Sequence, residues 1–301
     1  MIGNLTRAAV FLCLMLGFSG ASNAGLPTET VAYPVLVQMD FDGGQGSGFF
    51  VLHSDSVYLV TARHVVLNRE GKFWSPSMRL SAFGLQERGV QPSKLTIDLQ
   101  ALSKAGECRF HETWDAAILR IGIANGNEKQ RPITYLPSVT LREGGRLTVV
   151  DWKNLTRLEG LRFGARVYVS GFPNSVGLPD GSQLDQRFPL LREGIIAGIH
   201  PEYSNVILDC RVDGGNSGGP VIWRTEDESG NELYSVMGLV SQYVPVAQNW
   251  IDSQNRSVNQ DVANSGYSVV TPMDAVIELL EKTEVRNENS SHTSAVQANT
   301  Y

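Results

Sequence analysis

The sequence predicts an all-β protein: two packed six-stranded antiparallel β-barrels with a C-terminal α-helix. Three observations carry this expectation. Short apolar runs bounded by Gly, Asp, Asn and Pro form two sets of six candidate strands. A polar, Gly-bearing connection separates the sets. One segment near the end has the apolar spacing of a helix.

In the first set the candidate strands are 35–41, 48–53, 57–62, 78–83, 94–99 and 116–121. Leu95, Ile97 and Leu99 alternate with polar residues, as in a half-buried strand. His53-Ser54-Asp55-Ser56 joins two of the runs as a hairpin. Polar stretches at 125–129 and 143–145 mark the connection, and a domain boundary is expected between Ile133 and Gly160. The second set is 166–170, 194–199, 206–210, 220–223, 235–241 and 267–270. Long polar loops at 174–187 and 245–265 interrupt it and are suited to lining a cleft. Thr271 is placed to cap the helix, Pro272 to begin it and Asp274 to meet its positive end. Val276, Leu279 and Leu280 supply the apolar stripe, and from Val285 the chain reads as a disordered tail.

The first 24 residues are expected to leave before folding. Arg7 gives a positive start, 8–18 is apolar, and Ser22-Asn23-Ala24 offers a small-residue cleavage site before Gly25. The apolar run of eleven residues falls short of the roughly 20 that cross a bilayer. The expectation is therefore export, to the periplasm or outside the cell, with no stable membrane anchor after cleavage. The organisation is then a leader at 1–24, a first barrel at 25–145, a second barrel with the helix at 146–284, and a tail at 285–301. Loss of Arg7 shifts the formal charge from −6 to −7. A mildly acidic chain without basic runs argues against a nucleic-acid partner. No metal-ligand spacing and no phosphate-binding loop is present, so neither a metal nor a cofactor is expected.

Three motifs carry chemistry. Thr61-Ala62-Arg63-His64 closes one apolar run, Trp114-Asp115-Ala116-Ala117-Ile118-Leu119 opens another, and Gly215-Asn216-Ser217-Gly218-Gly219-Pro220 follows. A serine hydroxyl needs a base within hydrogen-bond reach to attack. Ser217 is flanked by small residues that allow a tight turn, which would also aim the Gly215 and Ser217 N–H groups at one point, an oxyanion hole. His64 would take the serine proton and Asp115 would orient its imidazole. Activity is then expected to rise with pH as imidazole becomes neutral. His53, His111 and His200 read as structural, and His292 falls in the tail. Asp209 and Asp213 are rivals of Asp115 by sequence proximity to Ser217 alone.

The order His64, Asp115, Ser217 and the motifs around these residues resemble the trypsin-like, chymotrypsin-fold serine peptidase superfamily. The Gly-Asn-Ser-Gly-Gly-Pro form is closer to the bacterial-type high-temperature-requirement branch, although no peptide-binding appendage domain is expected here. The similarity runs from Gly46-Ser47-Gly48-Phe49 to the final helix and includes Gly171-Phe172-Pro173 and Gly238-Leu239-Val240-Ser241. It implies that Ser241 supports the catalytic aspartate and that Ser241, Gln242 and Tyr243 form the edge on which a peptide lies as an added strand. It puts Arg211 where relatives specific for basic residues carry an acid, Tyr243 at the pocket entrance and Gly266 on the opposite wall. Cleavage after Lys or Arg is therefore not expected. Small or medium uncharged side chains are, with acidic ones as the alternative. Cys108 and Cys210 would lie apart as free thiols. Digestive members carry an aspartate just before the nucleophile, which pairs with a newly cut N-terminal ammonium. Asn216 is uncharged, so activation by that route is not expected.

The expected function is a serine endopeptidase acting on protein or peptide substrates. A catalytically silent or chaperone-like binding protein on the same fold, and a non-peptide acyl hydrolase, are the alternatives.

Overall fold

The computed structural model describes residues 26–40, 44–83, 92–126, 131–144, 146–174, 184–185, 188–251 and 257–283. The expected leader, the tail and most of the polar loop at 174–187 lie outside the described residues.

Strands dominate, as the sequence implied, and they form two sheets. The first contains β1 (Pro34–Met39), β2 (Gln45–His53), β3 (Ser56–Thr61), β4 (Ser77–Ala82), β5 (Ser93–Asp98), β6 (Cys108–Phe110), β7 (Ala117–Ala124), β8 (Ile133–Tyr135), β9 (Val139–Glu143) and β10 (Val149–Asp151). Its path runs β6-β7-β3-β2-β1-β4-β5-β9, with β8 on β7 and β10 parallel to β2. The second contains β11 (Arg166–Gly171), β12 (Leu190–Ile199), β13 (Val206–Asp209), β14 (Pro220–Glu226), β15 (Glu232–Ile251) and β16 (Ser257–Pro272). These six close into a barrel in the order β11-β12-β13-β16-β15-β14.

The first half thus departs from a six-stranded closed barrel: among the described residues it is a ten-stranded sheet whose path is not closed. The four strands without a counterpart in the sequence pattern are β6, β8, β9 and β10. They are short and bury few residues; β9 buries only Val139, so no alternation marks it. β10 pairs with β2 across about a hundred residues, a partnership that no local pattern encodes. First-sheet pairing therefore extends to Asp151, and second-sheet pairing begins at Arg166.

Two further expectations are corrected. Much of the polar stretch at 245–265 is not loop but the far part of a ribbon in which Pro245 pairs with Asn264 and Trp250 with Asn259. Both of its faces meet solvent, so the sequence there shows no apolar side. Thr271 and Pro272 do not start the helix but finish β16, paired with Leu239 and Gly238. The helix runs over 274–283, and the Asp274 carboxylate accepts the Leu158 N–H at 2.7 Å.

The core sits in two clusters. The larger lies under the first sheet, with Phe49, Phe50, Leu59, Leu80, Ile97 and Leu119 fully buried. The apolar side of the C-terminal helix, Val276, Leu279 and Leu280, packs into this cluster and not into the second barrel. The second cluster fills the barrel with Val167, Val169, Leu208, Val221, Met237 and Val270. Cys108 and Cys210 are both buried free thiols. Burial pushes their pKa values up to about 12 and about 11, so both stay protonated and inert at neutral pH.

Candidate active site

His64, Asp115 and Ser217 each stand within three residues of a strand end. β3 delivers the chain to Ala62, whose extended backbone precedes a single helical turn, Arg63–Val66. Val65 and Val66 are buried, which turns His64 outward. Trp74 Nε1 donates to the His64 carbonyl at 2.9 Å, and Arg63 Nη1 reaches the His111 carbonyl at 2.7 Å. Asp115 ends a tight turn before β7. In that turn His111 Nδ1 accepts the Thr113 and Trp114 N–H groups at 3.3 and 3.1 Å.

The Asp115 carboxylate is the hub. Its Oδ2 lies 2.7 Å from His64 Nδ1 and accepts the Ser241 hydroxyl at 2.7 Å. Its Oδ1 accepts the His64 backbone N–H at 3.0 Å. Burial works against ionisation of this carboxyl, but the bonds from the His64 ring, the Ser241 hydroxyl and the His64 N–H outweigh it. The net effect holds Asp115 below its ordinary pKa. The His64 side chain is 50% exposed and that of Asp115 22%, so the imidazole opens onto solvent while its partner faces inward.

Ser217 sits across from this pair in one cleft of about 1400 Å³, whose walls include His64, Asp115, Trp74, Ser217, Ser241 and Tyr243. Its hydroxyl donates to the Ser241 carbonyl at 3.2 Å. The turn before it is pinned peptide by peptide. The carbonyl of Asp213 accepts from Asn216 N at 3.1 Å, that of Gly214 from Asn174 N at 2.8 Å, and that of Asn216 from Gly219 N at 2.9 Å. Ser47 holds two more: its hydroxyl donates to the Gly215 carbonyl at 2.7 Å and its N–H to the Ser217 carbonyl at 2.7 Å. The same hydroxyl accepts the Phe172 N–H at 2.9 Å. With every carbonyl from 213 to 217 turned to a partner, the Gly215 and Ser217 N–H groups donate to no described residue. Two such N–H groups are able to donate to an anionic oxygen.

Gly218 makes the turn possible. Its φ is +84°, and a Cβ there would lie 2.2 Å from the Ser47 carbonyl oxygen and 2.3 Å from Thr61 Oγ1. Both neighbours are fixed, because Thr61 Oγ1 donates to that same Ser47 oxygen at 2.7 Å. We expect Gly218→Ala to cost about 2 kcal/mol or more through backbone strain and overpacking. A thermal melt checks this; an unchanged midpoint would contradict the packing described.

The other sequence candidates separate. Gln242 and Tyr243 line the cleft beside Ser241, and Val212, Val240 and Val269 give it an apolar side. Arg211 and Gly266 are not among its lining residues. The Arg211 guanidinium turns to Asp213 at 3.2 Å, and Gly266 donates its N–H to Asn264 Oδ1 at 2.9 Å. His53 is buried edge-on against Trp152, His111 lies 3.2 Å from Glu278, and His200 stacks on Tyr203. Asp209 ends β13, paired with Ile195 of β12 and Tyr267 of β16.

The sequence placed Ser47 in the family similarity without a role, and its full burial shows only in the structure. Sequence reasoning also missed Trp74 and the Asn174 backbone, which nothing local marks.

A family model described as a trypsin-like peptidase domain matches residues 46–228. No curated protein matches the sequence. Among solved structures, the HtrA-type protease AlgW with a tripeptide matches with a TM-score of 0.44 at 16% identity, over 84% of this chain and 60% of that one. The serine endoprotease from Yersinia pestis matches with a TM-score of 0.43 at 16% identity, over 86% and 66%. Human heparin binding protein matches with a TM-score of 0.49 at 14% identity, over 85% and 93%. The chain thus spans less than two thirds of the length of the first two.

Proposed function

We propose that this chain, which belongs to the trypsin-like peptidase family across residues 46–228, is an exported serine endopeptidase that works through His64, Asp115 and Ser217. The observation that carries the reading is the Asp115 carboxylate, which engages His64 through ring and backbone and is itself held by Ser241. A carboxylate so placed fixes the tautomer with the proton on Nδ1 and leaves Nε2 free to act as a base.

In the reaction, the Ser217 hydroxyl turns from the Ser241 carbonyl to His64 and attacks the scissile carbonyl carbon as His64 takes its proton. The oxyanion formed receives the Gly215 and Ser217 N–H groups. His64 then gives the proton to the leaving amine, and an acyl-enzyme remains. Water repeats the sequence with His64 again as base, releasing the acid and restoring Ser217. A peptide laid along Ser241, Gln242 and Tyr243 would present its carbonyl to this point as an added strand.

Val212, Val240 and Val269 line the cleft that holds Ser217 and favour small or medium uncharged side chains before the scissile bond. A peptide library profiled by mass spectrometry tests this, and efficient cleavage after Lys or Arg would refute the preference. A fluorophosphonate probe tests the function itself. Labelling at Ser217 with peptide turnover is expected, and a folded protein that neither labels nor cleaves would be a silent binding member of the family. The leader at 1–24 supports export, and mass measurement of the mature N-terminus checks it.

A further inference from the structure

The turn before Ser217 is held from below by charge. Asp213 stands two residues before Gly215, and its side chain is only 8% exposed. Arg192 Nη2, from β12, donates to Asp213 Oδ2 at 2.9 Å. Arg211 Nε and Nη2, from the base of the same turn, donate to Oδ1 at 3.2 Å. Both carboxylate oxygens are therefore taken by guanidinium groups. The backbone of Asp213 closes the turn: its N–H donates to Asn216 Oδ1 at 3.1 Å, and its carbonyl accepts the Asn216 N–H at 3.1 Å.

Gly214 and Gly215 follow directly, and two successive glycines impose little conformation of their own. A flip of either peptide would turn a carbonyl where an oxyanion must bind. The Asn174 N–H and the Ser47 hydroxyl hold their two carbonyls, and the base from which the pair springs is held by the side chains of Asp213 and Asn216. Asn216 carries no charge to anchor, and the carboxylate of this turn lies three residues earlier, on Asp213. Its partners are two internal arginines. A nearly buried carboxylate is tolerable only while such partners hold it, so its position is strongly determined.

We propose that Arg192, Asp213 and Arg211 form an ion clamp that sets the oxyanion turn in working shape as soon as the chain folds, with Asp213 as its positioning residue. No new chain terminus has to be inserted. The consequence for rate rests on the peptidase reading above, whereas the consequence for the turn itself does not.

Asp213→Asn keeps the shape of the side chain and removes the charge. The expected result is a kcat reduced about 10- to 100-fold, smaller than or comparable to the loss of one oxyanion donor, with KM changed less than about 2-fold. Affinity for a peptidyl trifluoromethyl ketone, which forms an oxyanion on Ser217, should fall in step with kcat. A mere loss of folded fraction would leave that affinity unchanged. Amide hydrogen exchange over 213–218 should speed up while the rest of the second barrel keeps its protection. Arg192→Gln, which leaves Arg211 in place, should show the same pattern more weakly and serves if Asp213→Asn does not fold. Unchanged kcat, unchanged ketone affinity or unchanged local exchange would overturn the clamp. A wild-type protein with no peptidase activity would instead overturn the functional reading, and the exchange comparison would still decide the clamp.

Discussion

Replacing Ser217 by alanine should lower turnover on the order of a millionfold and leave the melting temperature nearly unchanged. The size of the loss follows from cooperation. Without the hydroxyl there is no nucleophile, and the paired His64 and Asp115 have nothing to activate. The small structural effect follows from how the turn is built. Its shape comes from backbone bonds to Ser47, Asn174 and Val240, and the hydroxyl contributes only one 3.2 Å bond to the Ser241 carbonyl. That carbonyl borders an open cleft, where water can replace the lost donor. A rate assay beside a thermal melt decides the matter. Near-normal hydrolysis by a folded Ser217→Ala protein would remove Ser217 from the mechanism.

Asp115→Asn should cost about 10⁴-fold in kcat. The amide presents one acceptor and one donor where the carboxylate presents two acceptors. Three donors converge there, from the His64 ring, the His64 backbone and the Ser241 hydroxyl. An amide nitrogen facing His64 Nδ1 forces the ring proton to Nε2, where it blocks the base. The same substitution has a pH signature in stability. The Asp115 pKa is lowered from 3.8 in the folded protein, so ionised Asp115 contributes stability above that value and loses it as pH falls through the folded one. The gap in melting temperature between wild type and Asp115→Asn should therefore be full near neutrality and shrink under more acidic conditions, below about pH 4. A gap that stays constant into strong acid would show that the bonds around Asp115 do not favour its ionised form.

The motifs that meet in the candidate cleft were legible because each is local. A strand running into Ala62-Arg63-His64, an aspartate opening β7 and a glycine-rich turn each announce themselves in a few residues. The strand pattern was legible wherever one face is buried, as at Leu95 and Ile97. It failed where burial does not alternate: at β9, with one buried residue, and along the outer part of β15 and β16, with none clearly buried. The start of the helix was misplaced because Thr271 and Pro272 satisfy capping rules and strand pairing equally well, and pairing with Leu239 and Gly238 prevailed. The side chains that pin the turn were hidden for a different reason. Ser47 and Gly215 are 168 residues apart, and no spacing rule links them.

That separation has a consequence in time. His64 follows and Asp115 precedes a strand of the first sheet, Ser217 precedes a strand of the second, and the buried Ser47 links the halves only when they dock. The first sheet is itself unfinished until helix 274–283 fills its core, and that helix is made after every other described element. A chain still without that helix therefore lacks part of the core behind His64 and Asp115. On the peptidase reading, proteolytic capacity is a property of the two docked halves and of neither sheet alone.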